Sequence, residues 1–146
     1  MNEDENTPSL NPYITKPEIN SKQNHFSLPK QIVPPGLYIV STPIGNAQDL
    51  SFRALNILKL ANLVVCEDTR ITKKLFKIHK ISNQLIAYSD HNAKKIRPSI
   101  IRRLQNKESV ALVSDAGTPL ISDPGYKLVS ACIENNIPIT SIPGAS

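Results

Sequence analysis

From residue 36 onward, short apolar runs alternate with amphipathic stretches, and that alternation predicts the architecture. Leu37-Tyr38-Ile39-Val40, Leu63-Val64-Val65-Cys66, Leu85-Ile86-Ala87-Tyr88, Val110-Ala111-Leu112-Val113 and Ile139-Thr140-Ser141-Ile142 are too short for helices. Their β-branched content suits strands, buried on both faces where the run is unbroken. Between the first two, Ala54, Ile57, Leu58 and Ala61 recur at helical spacing behind Asp49 or Ser51 as cap. A basic helix with Lys73, Lys74 and Lys77 follows the second run. A third helix spans Ala93 to Leu104, with Pro98 either near its first turn or kinking it. The fourth, Tyr126 to Glu134, puts Leu128, Ala131 and Cys132 on one side. Strands alternating with helices, without hairpin signals, predict an α/β fold: a mostly parallel five-stranded sheet with helices on both faces. All strands then point one way, so their exit loops gather on one edge, where parallel sheets build their sites.

Residues 1–35 break the pattern. They hold half of the twelve prolines, with Asn, Ser, Gln and Lys between scattered apolar residues. So little surface could be buried there that a disordered extension is expected, ended by Pro34-Pro35-Gly36, with one α/β domain over 36–146. The formal charge of +5 understates the basicity of that domain, because residues 36–146 carry 14 Lys and Arg against 8 Asp and Glu. The excess suits a polyanionic partner, or simply keeps solvated helix faces soluble. No apolar run approaches the roughly 20 residues of a membrane span, and the N-terminus lacks the apolar core of a secretory signal. A cytoplasmic protein without membrane attachment is expected, with Cys66 and Cys132 as reduced core thiols.

The exits hold the candidate chemistry. After Val113 come Ser114-Asp115-Ala116-Gly117-Thr118-Pro119-Leu120-Ile121-Ser122-Asp123-Pro124-Gly125, a rigid turn whose backbone can approach a ligand closely. The plain alternative is a βα connection with Ser122 or Asp123 capping the next helix. The first exit, Ser41-Thr42-Pro43-Ile44-Gly45-Asn46, has one glycine and no Gly-Lys-Ser/Thr, so it is neither a dinucleotide fingerprint nor a P-loop. Glu67, ending the second strand, stands where nucleotide folds place a ribose-binding carboxylate. A ligand with a ribose but no pyrophosphate, such as S-adenosylmethionine, is therefore less constrained than a nicotinamide cofactor. Glu67-Asp68-Thr69-Arg70 reads either as substrate positioning and acid/base chemistry or as a helix cap by Asp68 or Thr69 with Arg70 in an ion pair. Asp90-His91 lacks an identifiable third group, and no zinc-hydrolase, deaminase or esterase motif is present, so no metal is expected. The basic helices could track phosphates, but the aromatics near them, Phe76 and Tyr88, are too few for a base-stacking platform.

Taken together, Ser41 to Asn46, Glu67 to Arg70, Ser114 to Pro119 with Ser122 to Gly125, and Pro143-Gly144-Ala145-Ser146 resemble the tetrapyrrole methylase superfamily, and within it the ribosomal RNA small subunit methyltransferase I branch. The resemblance covers residues 37–146. It implies an S-adenosylmethionine-dependent enzyme that methylates the ribose 2′-oxygen of a cytidine in small-subunit ribosomal RNA, with the naked RNA or the assembled subunit as partner, and a homodimer in the full-length family. Carried over, Pro43 and Gly45 border the cofactor cleft, Asp115, Ala116, Gly117 and Thr118 contact the cofactor, and Gly144, Ala145 and Ser146 close over its other side. Glu67, Asp68 and Arg70 match the branch's second motif on the RNA side, with Glu67 as first choice of base. Family members continue past Pro143-Gly144-Ala145-Ser146 into a second α/β domain, which this sequence does not contain. The competing expectations are a small-molecule methylase acting on a tetrapyrrole, and a non-catalytic RNA- or ribosome-binding half-fold.

Overall fold

A computed structural model describes residues 18–20, 25–27, 32–43, 46–113 and 125–144. The chain divides into two units, Met1–Ile32 and Val33–Ser146. In the first, strands β1 (Glu18–Asn20) and β2 (His25–Ser27) pair antiparallel, Glu18 opposite Ser27, a pairing that composition did not signal. Two strands of three residues are marginal by themselves in water.

The second unit is built on β3 (Gly36–Val40), β4 (Leu63–Cys66), β5 (Leu85–Ala87), β6 (Ser109–Val113) and β7 (Ile139–Ile142). They form a five-stranded sheet in the order β5-β4-β6-β3-β7, with every neighbouring pair parallel. The α/β expectation holds, and each strand falls within one residue of the apolar run that predicts it. Helices α1 (Phe52–Leu60), α2 (Thr69–His79), α3 (Ala93–Gln105) and α4 (Gly125–Glu134) make the connections. From β3 through β4 to β5 the chain steps toward one edge, and from β5 through β6 to β7 it steps back.

That reversal sorts the helices onto opposite faces. Leu37, Leu63, Val65, Val110 and Leu112 pack with Ile100, Ile101 and Leu104 of α3 and Leu128 and Cys132 of α4. The intervening residues Tyr38, Val40, Val64, Cys66, Ala111 and Val113 pack with Ala54, Ile57 and Leu58 of α1 and Phe76 of α2. Alternate side chains of a strand point to opposite faces, so β6, with both faces covered, is buried along its whole length. Each such Val or Leu contributes about 1.5–3 kcal/mol relative to an exposed position.

Local chemistry sets the ends. Ser51, and not Asp49, caps α1, its Oγ accepting the Ala54 N–H at 3.1 Å. At the other end of α1, the Asn83 amide donates to the carbonyls of Leu58 and Ala61, both at 2.8 Å. Asn62 Oδ1 accepts the Ser109 N–H (2.8 Å) and hydroxyl (3.0 Å), which locks the start of β4 to β6. Pro98 lies inside α3 on its exposed side, where water can serve the Lys94 carbonyl that the missing N–H leaves without a helical partner. Gly36 opens β3 at φ +140°, and a Cβ there would lie 2.8 Å from the Pro138 carbonyl oxygen, so no other residue fits without strain.

Candidate functional site

Register brings the strand ends level. Val40 lies opposite Val113 and Ile142, Val65 opposite Leu112, and Cys66 opposite Ala87. The exits therefore leave from one rim, and β6, which residues 114–124 follow in sequence, is its middle strand, flanked by β3 and β4. Both neighbours feed helices on one face while β6 feeds α4 on the other. Adjacent strands whose connections depart to opposite faces leave a crevice beyond their carboxyl ends. The sequence singled out the loop; only the strand order shows that it leaves from the centre.

The exits touch in two pairs. The Ser41 N–H donates to the Ile142 carbonyl at 3.2 Å, and a Cβ added to Gly144 would stand 2.8 Å from Ser41 Cβ. Gly144 is thus pressed against the β3 exit, with Thr42 buried and Pro43 half-buried beside it. On the other side the Tyr88 N–H donates to the Cys66 carbonyl at 2.7 Å. Asn92 then folds back over this exit, accepting the Ser89 N–H at 2.8 Å and donating to the Ala87 carbonyl at 3.1 Å. The sequence reading missed this latch, which a Ser-x-x-Asn spacing after a strand could have suggested.

The acidic motif splits into two roles. Asp68 caps α2, accepting the Arg70 N–H at 2.9 Å, and pairs with the Arg70 guanidinium through Nε (3.1 Å) and Nη2 (2.9 Å). Those side-chain hydrogen bonds, with the backbone N–H adding to them, hold the Asp68 carboxyl below its ordinary range and raise the Arg70 guanidinium. Glu67 is exposed at the end of β4 and makes no hydrogen bond or ion pair among the described residues. Asp90 and His91 lie exposed in the turn before α3. His79 meets the Ala47 carbonyl at 2.6 Å, Arg97 Nε donates to the Tyr88 hydroxyl at 2.8 Å, and Arg103 pairs with Glu108 at 2.8 Å. Tyr88 and Phe76, the aromatics nearest the basic helices, are core residues. Burial pushes the Cys132 thiol up to about 11. Gly45, Asp115, Ala116, Gly117, Thr118, Ala145 and Ser146 lie outside the described residues, as do Ser122 and Asp123. Of the residues expected at the cofactor, Pro43 and Gly144 are described, and both stand at the β3–β7 side of the rim. Among the described residues no group of three His, Cys, Asp or Glu is placed to hold a metal, and no helix is long and apolar enough to cross a membrane.

A parallel sheet with this crevice and this succession of exits defines the class. The chain belongs to the tetrapyrrole (corrin/porphyrin) methylase family, whose profile matches residues 36–146. Within that family it is similar to proteins named ribosomal RNA small subunit methyltransferase I. It is 48% identical to the one from Mesorhizobium japonicum over 119 residues, covering 82% of this chain and 40% of that protein. It is 50% identical to the one from Rickettsia prowazekii over 115 residues, covering 79% of this chain and 41% of that protein. The chain thus spans about two fifths of the length of these relatives. The fold is shared with uroporphyrin-III C-methyltransferase from Thermus thermophilus complexed with S-adenosyl homocysteine (TM-score 0.58, 19% identity, 76% of this chain and 48% of that one). It is also shared with cobalt precorrin-4 methyltransferase (TM-score 0.60, 17% identity, 75% of this chain and 46% of that one).

Proposed function

We propose that this chain is the N-terminal part of an S-adenosylmethionine-dependent methyltransferase of the cytoplasm, acting on the ribose 2′-oxygen of a cytidine in small-subunit ribosomal RNA. The observation that carries the reading is an identity near 48% to relatives named for that RNA subunit, against 17–22% to the solved methyltransferases of the same fold. The described residues at the β3 and β7 exits are compatible with the donor: Ser41, Thr42, Pro43, Pro143 and Gly144 carry no charged side chain. An uncharged set does not oppose the cationic sulfonium of this donor and offers no countercharge to a pyrophosphate. Pro43, Gly45, Asp115 to Thr118 and Gly144 to Ser146 are the residues assigned to hold it. When bound, S-adenosylmethionine supplies an electrophilic methyl group.

The protein must align the ribose hydroxyl with that methyl and take up its proton. Alignment of two reactants contributes the larger share, and a placed carboxylate adds roughly 10²- to 10⁴-fold. Glu67 is the better base, because its carboxylate is unengaged among the described residues while that of Asp68 already accepts from the Arg70 backbone and guanidinium and is less basic for it. Asp68 and Arg70 act together, the carboxylate ordering the start of α2 and the guanidinium standing beside it at the rim. Assembly as a homodimer belongs to the same reading and is checked by light scattering of the purified protein.

The test is the modification itself. Small-subunit RNA from cells with and without the gene is digested to nucleosides and read by mass spectrometry. The 2′-O-methylcytidine of the subunit is expected to fall without the gene, to return with the unaltered gene, and to return at least 10²-fold more slowly with Glu67→Gln. An unchanged level in the disrupted strain, or a lost methyl that sat on the base, overturns the proposal.

A further inference from the structure

The net positive charge of the α/β unit is not spread over it. From Glu67 to Glu108 the chain has eleven Lys and Arg against four Asp and Glu, and the rest of residues 36–146 has three against four. That segment is α2, β5 and α3, and β5 is an edge strand of the sheet. The helix entering β5 packs on one face and the helix leaving it on the other. The two most basic helices of the unit therefore enclose the same edge from opposite sides, and neither contains an acidic residue.

The side chains are disposed to meet a polyanion. On α2, Arg70, Lys73, Lys74 and Lys77 fall at i, i+3, i+4 and i+7 and so share one face about 10 Å long. That stripe starts at the rim, where Arg70 is held by Asp68, and runs away from it. On α3, Lys95 and Arg102 stand seven residues apart on the exposed side. Lys73, Lys74, Lys77, Lys95 and Arg102 are all exposed, and none is in an ion pair among the described residues.

We infer that the β5 edge is a docking surface for the phosphate backbone of RNA, which crosses the edge touching α2 on one face and α3 on the other and leads toward the rim. Lysine is depleted from protein–protein interfaces, whereas compact ammonium charges on flexible stems suit phosphate oxygens at varying positions. The surface sets position and not sequence, because the exposed side chains on these helices include no aromatic to stack a base. The inference takes from the proposed function only the identity of the polyanion as RNA.

The experiment measures binding of a labelled small-subunit RNA hairpin to this chain by fluorescence anisotropy between 50 and 300 mM salt. The variants are Lys73→Gln/Lys74→Gln/Lys77→Gln on α2 and Lys95→Gln/Arg102→Gln on α3, with Lys59→Gln/Lys127→Gln as control outside the edge. Removing one side chain that neutralises a phosphate lowers the slope of log K against log salt by about 0.7–0.9. The α2 variant is therefore expected to drop by about two to three units and the α3 variant by between one and two, with the control unchanged. Circular dichroism verifies that the variants keep the fold. Equal slopes in all proteins, a drop confined to one helix, or no RNA binding by the unaltered chain at 50 mM salt overturns the inference. So does binding to anionic lipid vesicles without binding to RNA. If the lysines serve only to keep an edge strand from pairing, the variants self-associate with unaltered slopes, which also overturns it. The nucleoside analysis above is independent of these slopes, so loss of the methyl mark with equal slopes rejects this surface and leaves the activity standing.

Discussion

Gly144→Ala puts the most direct demand on the rim. The added methyl carbon would stand 2.8 Å from Ser41 Cβ, with the Ser41 carbonyl oxygen at 3.4 Å and carbonyl carbon at 3.6 Å. Carbon atoms in van der Waals contact prefer about 3.5–4.0 Å, so the β3 and β7 exits must part by over half an ångström. Neither can move freely, since Val40 is in register with Ile142 and the Ser41 N–H is bonded to the Ile142 carbonyl. Overpacking of this kind costs about 1–3 kcal/mol. For a domain of this size that lowers Tm by about 4 °C per kcal/mol, readable by thermal unfolding followed by circular dichroism. Ser41→Gly removes the clashing atom. The double variant should therefore recover about 1 kcal/mol relative to the sum of the singles, as touching residues do in a double-mutant cycle. Gly144→Ala with unchanged Tm, or strict additivity in the cycle, would refute the close approach of the two exits and with it the geometry of the β3–β7 side of the rim.

Asn83→Ala removes the amide that serves the last carbonyls of α1 and should cost about 1–3 kcal/mol in urea unfolding, with m unchanged. Cys132, pushed up to about 11 from 9.0 by burial, keeps its proton in the folded state after the unfolded thiol has lost its own. Its contribution to stability is full below pH 9 and declines as pH rises from 9 to 11; Cys132→Ala should flatten that decline, seen as Tm against pH. Asp68 is shifted the opposite way, so its contribution is present above the ordinary carboxylate range and disappears as pH falls through its depressed folded value. Asp68→Asn keeps the capping oxygen and should retain the helix while abolishing this acid dependence; a variant with an unaltered acid limb of Tm against pH would count against the Arg70 pairing.

The sequence alone determined the existence and direction of the five strands of the parallel sheet, because runs such as Val110–Val113 are apolar at every position and hairpin signals are absent between them; it did not signal β1 and β2. It also located the exits, because Gly144, Pro43 and the acidic pair at 67–68 interrupt the hydrophobic pattern just where strands end. Asp68 could not be assigned from sequence, since cap and catalyst require the same carboxylate; the 2.9 Å bond to the Arg70 N–H shows it engaged as a cap. The basic residues of α2 and α3 were likewise legible one by one, but not which of them are engaged: Arg97 with Tyr88 and Arg103 with Glu108 depend on partners brought near by packing. Strand order was beyond local pattern altogether. Periodicity is a property of neighbours along the chain, whereas the placing of β6 between β3 and β4, and of β5 at the edge between two basic helices, is decided by which connections pack back over which face.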